Sequence, residues 1–155
     1  MKFDIEEAVC FTGHRALKED INISVIDETI ENLIARKFRV FLCGMAIGFD
    51  LLCFERVLIL KEKYEDIKIL ACVPCPMQNL KYGEKEKIKY YDLLKKADEV
   101  ILISPYFTPY CMKERDRFMV DNSSVCVSYL YKSSGGTYYT TRYAVEKGKE
   151  IIYIK

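Results

Sequence analysis

Short apolar runs alternate with amphipathic stretches along the whole chain. The runs EAVCFTG, FRVFLCG, IKILACVP, EVILIS, SVCVSYL and EIIYI are rich in Val, Ile and Leu and lack a clean polar alternation. That pattern belongs to strands covered on both faces, as in a parallel sheet. Between them, residues 22–37 place Ile23, Ile26, Ile30, Leu33 and Ile34 on one helical face. Further helices are expected over 47–64, over 77–96 with an interruption near Gly83, over 112–122, and over 137–147 with Gly148 as its C-cap. The order βαβαβαβαβαβ predicts a Rossmann-like, doubly wound, mainly parallel sheet of about six strands with helices on both faces. A chain of 155 residues is expected to form one domain, residues 1–155. In such sheets ligands bind beyond the carboxyl ends of the strands, which directs attention to the strand-to-helix turns.

Composition narrows the function classes. Lys and Arg number 24 against 23 Asp and Glu, and the net charge of +1 gives no general field for a polyanion, so nucleic acid is not the expected partner. The acidic start MKFDIEEAV lacks the form of a signal peptide and no apolar stretch reaches spanning length, so a cytoplasmic location with no membrane partner is expected. Seven cysteines, mostly inside apolar runs, fit a reducing compartment. Cys72 and Cys75 form a CxxC, but no second ligand pair accompanies it and prolines follow, so strand-end packing is expected there and no metal. The lysine-rich stretch KYGEKEKIKYYDLLKK reads as a solvated helix face, and SPYFTPYCMK as an irregular, aromatic segment able to form a lid.

Three strand ends carry candidate chemistry. CFTGHR holds the chain's single histidine, His14, beside Thr12, Gly13 and Arg15. His14 has the one side chain whose ordinary titration lies near neutrality, and it serves either in proton transfer or as a backbone partner at the strand end. CGMAIGFD places Gly44, Ala46, Gly48 and Asp50 at the start of a helix, where free amides and the dipole attract phosphate. The same glycines also suit a tight turn that only relieves crowding. SSGGT repeats the arrangement with Gly135, Gly136 and Thr137, and Arg115 offers a forked cation or a partner for Asp116. The CGMAIGFD turn matches neither a dinucleotide fingerprint nor a phosphate-binding P-loop.

Taken in order, CFTGHR, CGMAIGFDLLCFERV, RDRFMVDNSSVCVSY and SGGTYYTTRYA resemble the successive motifs of the YpsA-like family. That family belongs to the SLOG superfamily, with the DNA-processing protein A fold and the Lonely Guy phosphoribohydrolases. The resemblance implies a Rossmann-like pocket for a nucleotide or nucleotide-derived ligand, with no known cofactor and an NAD-like or ADP-ribose-like molecule among the candidates. It assigns Gly13 and Arg15, Gly44, Ala46, Gly48 and Asp50, Arg115, and Gly135, Gly136 and Thr137 to the ligand side. Asp116 stands where the family has asparagine, exchanging an amide for an acceptor-only anion. After Thr137 come Tyr138, Tyr139 and Thr140, without the catalytic glutamate that the phosphoribohydrolases carry soon after the threonine.

The leading expectation is therefore a nucleotide-ligand binder with a sensor or regulatory role, its phosphate held by the two glycine-rich turns. A hydrolase acting on a nucleotide-ribose derivative, with Asp50 as base and His14 as acid, is the alternative, and single-stranded DNA binding a second one. Twelve tyrosines leave room for a homo-oligomer.

Overall fold

The computed structural model describes residues 3–155. Six parallel strands form one sheet: β1 (Ala8–Gly13), β2 (Val40–Cys43), β3 (Lys68–Val73), β4 (Glu99–Leu102), β5 (Val125–Tyr129) and β6 (Glu150–Tyr153), in the order β4-β3-β2-β1-β5-β6. The connecting helices are α1 (Ile23–Ala35), α2 (Phe49–Lys61), α3 (Glu84–Lys96), α4 (Cys111–Asp121) and α5 (Gly136–Glu146). All six strands and five helices expected from the pattern are present, and the sheet is the Rossmann-like α/β arrangement.

Alternate residues of the strands feed two cores. Val9, Phe11, Phe41, Ile69 and Val127 pack with Ile30, Phe54 and Leu93 beneath α1, α2 and α3. Cys10, Leu42, Leu70, Cys72 and Cys126 face the opposite side, where Met119, Val120 and Ala144 of α4 and α5 cover them. Helices on both faces explain why the strands lack polar alternation. The chain winds outward from β1 through β2 and β3 to β4, then returns to place β5 on the other flank of β1. The crevice at the carboxyl ends of β1 and β5 is thus the topological switch point.

One element differs from expectation. α3 begins at Glu84, not near Met77, because residues 75–82 form turns that brace the β2–α2 connection. Gln78 Nε2 donates to the Gly44 carbonyl at 2.8 Å, Tyr82 donates its hydroxyl to the Met45 carbonyl at 3.1 Å, and Tyr90 donates to Gln78 Oε1 at 3.1 Å. Among the described residues no helix is long and apolar enough to cross a membrane.

Candidate functional site

Register brings the first motif to the switch point. Thr12 and Gly13 lie opposite Ser128 and Tyr129, so the end of β1 and the chain leaving β5 share one rim. A cavity of about 510 Å³ opens there, with Thr12, Gly13, His14 and Arg15 on one wall and Gly135, Gly136 and Thr137 on another. Asp50, Ala46, Arg115 and Asp116 complete it. Met112, Met119, Lys132, Ser134 and Thr140 also line it, and none of these five was among the expected ligand residues.

The two glycine-rich turns have different states. Gly135, the N-cap of α5, has φ of +91° and supplies no side-chain cap, and Gly136 and Thr137, whose amides are left free at the helix start, line the cavity. α5 itself is anchored by the Thr141 hydroxyl, which meets Ser128 Oγ at 2.8 Å and donates to the Thr137 carbonyl at 2.7 Å. The turn before α2 is closed on itself. Asp50 Oδ2 accepts from the Ala46 amide at 3.2 Å, and the Phe49 amide donates to the His14 carbonyl at 3.3 Å. Gly44 and Gly48 do not line the cavity. A Cβ on Gly44 would stand 2.8 Å from Arg115 Nη1, and one on Gly48, whose φ is +83°, would run into the Arg15 carbonyl oxygen. These two glycines serve close packing, and the expectation of a second phosphate cradle is corrected accordingly.

Arg115 is also placed differently from a free phosphate ligand. Its guanidinium is buried, with Nε donating to Asp116 Oδ1 at 2.7 Å, Nη1 to the Gly44 carbonyl, and Nη2 directed at the Met112 sulfur 3.9 Å away. It is an internal counter-charge for a cavity that carries two carboxylates. The exposed cations at the rim are Arg15 and Lys132, and neither makes an ion pair among the described residues.

His14 is buried, its ring 4.3 Å from that of Tyr131, and its Nε2 accepts from the Tyr131 amide at 3.1 Å. A neutral ring that accepts at Nε2 carries its proton on Nδ1. Burial, with Lys132 nearby, holds its pKa below the ordinary histidine value. His14 therefore fits a backbone partner at the strand end and is a poor general acid.

Asp50 is the unusual titrating group. Burial lifts its carboxyl to about 7, against the opposing pull of Arg115 and the Ala46 hydrogen bond. Thr12, Asp50 and Thr137 are 7%, 5% and 7% exposed, and among the described residues Asp50 Oδ1 and the two threonine hydroxyls make no hydrogen bond but remain open to solvent in the cavity. Polar groups that line a cavity and lack a protein partner are free to bond a ligand there.

The remaining motifs stay outside the cavity. Tyr106, Phe107 and Tyr110, on the segment with lid character, are exposed and do not line it. Cys72 is buried within β3, while Cys75 sits by the Cys111 thiol at the start of α4.

A parallel six-stranded sheet with a switch-point cavity and an open helix start defines a Rossmann-like α/β protein. Residues 9–154 match the YpsA (YspA SLOG) family, and the chain belongs to it. An uncharacterized SPbeta prophage-derived protein, YoqJ of Bacillus subtilis (strain 168), is 30% identical over 138 residues, 81% of this chain and 79% of that protein. A UPF0398 protein of Staphylococcus aureus (strain JH9) is 29% identical over 63% of this chain, which spans about half, 54%, of its length. Among solved structures, DNA processing protein A of Streptococcus pneumoniae superposes with a TM-score of 0.69 at 16% identity, covering 96% of this chain and 50% of that one. The Helicobacter pylori protein of that name, solved for its single-stranded DNA binding mode, gives 0.67 at 16% identity over 94% of this chain and 64% of its own. These two likenesses show the fold.

Proposed function

We propose that the chain binds a nucleotide or a nucleotide-derived small molecule through a ribose-phosphate unit, in a sensor or regulatory role. The observation that carries this reading is the switch-point cavity itself, where the solvent-accessible polar side chains of Thr12 and Asp50 share one space with Thr137 at the uncapped start of α5. Phosphate sits on the amides of Gly136 and Thr137 with Arg15 and Lys132 as counter-charges. The inner end offers carboxylate oxygens from Asp50 and Asp116, which call for donors such as the sugar hydroxyls.

A thermal-shift screen tests it, using adenine and guanine nucleotides, NAD, ADP-ribose and ribose phosphates. A ligand at a hundred times its dissociation constant stabilises by about 2.7 kcal/mol. Ribonucleotides are expected to outperform their 2′-deoxy analogues, because a missing donor leaves a buried acceptor unpaired. No shift with any phosphate-bearing compound overturns the reading.

The raised Asp50 carboxyl also supports a second reading, hydrolysis of a nucleotide-ribose derivative with Asp50 as the proton-transfer group. Chromatography of the same mixtures separates the two: breakdown abolished by Asp50→Asn supports the hydrolase, and recovery of intact ligand supports the binder. Single-stranded DNA belongs in the same screen, where affinity that falls steeply with salt would replace the small-molecule reading.

A further inference from the structure

The outer face of α3 carries a pattern that neither the cavity nor the core uses. Glu84, Ile88, Tyr91 and Lys95 follow one another at spacings of four, three and four residues, which puts them on a single stripe of the helix. Ile88 is 68% and Tyr91 50% exposed, and neither Glu84 nor Lys95 makes an ion pair among the described residues. Lys89 reaches Glu55 of α2 at 2.6 Å, and Tyr90 and Leu93 are the buried residues of α3, so the stripe lies on the side of the helix turned away from the core. β4 is an edge strand of the sheet. Val100 and Leu102 of β4 sit opposite Ala71 and Val73, which belong to the core beneath α3, and both remain about half exposed. Clustered apolar exposure of this kind on a soluble protein marks an interaction surface.

We propose that this face pairs with a second copy of the same chain across a two-fold axis, α3 against α3, antiparallel. The stripe reads acid, apolar, apolar, base, and it is complementary to itself when reversed. With the axis midway between Ile88 and Tyr91, Ile88 of each copy meets Tyr91 of the other. Glu84 of each then meets Lys95 of the other, giving two symmetry-related ion pairs at the ends of an apolar centre. Such an isologous contact is closed, so it yields dimers and not filaments. Antiparallel helices also bring opposite dipole ends together.

Sedimentation velocity over a concentration series, with reductant present to keep the thiols free, provides the test. The unmodified chain is expected to sediment as a dimer. Glu84→Lys and Lys95→Glu each set like charges together and are expected to weaken dimerisation by at least about tenfold. Combining both substitutions in one chain restores opposite charges across the axis, and the dimer returns. Ile88→Asp, on an exposed position, is expected to give a monomer with unchanged circular dichroism. A chain that stays monomeric at all concentrations overturns the proposal, as does a dimer indifferent to both single swaps. A double swap no stronger than the singles overturns the antiparallel register.

Discussion

Arg115 of α4 donates from Nη1 to the carbonyl oxygen of Gly44, 71 residues earlier at the end of β2, while its Nε holds Asp116. The guanidinium thereby ties the helix over one face of the sheet to a turn at the end of the central strands. It also neutralises a carboxylate inside the cavity. Arg115→Ala would leave the partly buried Asp116 without its counter-charge and Gly44 with Gln78 as its one remaining donor, at a cost of roughly 3 kcal/mol. Arg115→Lys is expected to recover little of it, since a single ammonium cannot serve both partners in the geometry of the fork. Urea unfolding of the two variants measures this, and a loss below 1 kcal/mol (about the value of an exposed pair) would contradict it.

The pH dependence of stability follows from Asp50. In the unfolded chain its carboxyl titrates near 3.8, and in the folded one near 7. The folded state binds the proton more tightly, so the stability this group contributes is complete at low pH and is lost as the pH rises through 7. Asp50→Asn keeps an acceptor for the Ala46 amide and removes the titration. Relative to the unmodified chain it is expected to gain stability between about pH 4 and pH 8, by roughly 4 kcal/mol at most. Parallel slopes for the two proteins over that range would show that Asp50 ionises normally.

The single histidine gives a clean magnetic resonance probe. Its titration midpoint is expected below 6.5, with the proton on Nδ1 in the neutral form. Lys132→Ala should move the midpoint upward without fully restoring it, because burial is the larger cause. A midpoint above 6.5, or a proton on Nε2, would contradict the bond from the Tyr131 amide.

Gly48 and Gly135 share a positive φ, at 83° and 91°, yet differ in their surroundings. A Cβ at Gly135 meets nothing within 4 Å, so Gly135→Ala is expected to cost the backbone strain alone, roughly 1–3 kcal/mol. Gly48→Ala carries the same strain and must also displace the Arg15 backbone, so it is expected to destabilise the chain more. Chemical denaturation of both variants ranks them, and equal losses would refute the distinction.

The apolar patterning carried the strands and helices to within a few residues because both faces of the sheet are covered, and buried Val, Ile and Leu leave an unmistakable local trace. The expected start of α3 lies too early because Met77 and Leu80 keep a helical spacing. What ends the helix there is a set of distant bonds, from Gln78 to Gly44 and from Tyr82 to Met45. The cavity divides the same way. Thr12, Gly13, Gly135 and Thr137 stand at strand ends and a helix start that local sequence marks. Met112, Met119 and Lys132 reach the cavity only through packing, with no motif of their own. The turns at Gly44 and Gly135 look alike in sequence. One closes because Asp50 folds back onto Ala46 and Arg115 arrives from another helix, and nothing in CGMAIGFD announces that visitor.

The burial of the cysteines has a practical consequence. All seven are free thiols shielded by the fold, with Cys72 pushed up to about 12 by burial. A thiolate-seeking dye should therefore find almost nothing to label in the native chain and a full complement once it opens. The molecule carries its own fluorescence gauge of global opening, distributed over four strands, α2, α4 and one connecting position, and needs no engineered reporter to count how often it lets solvent in.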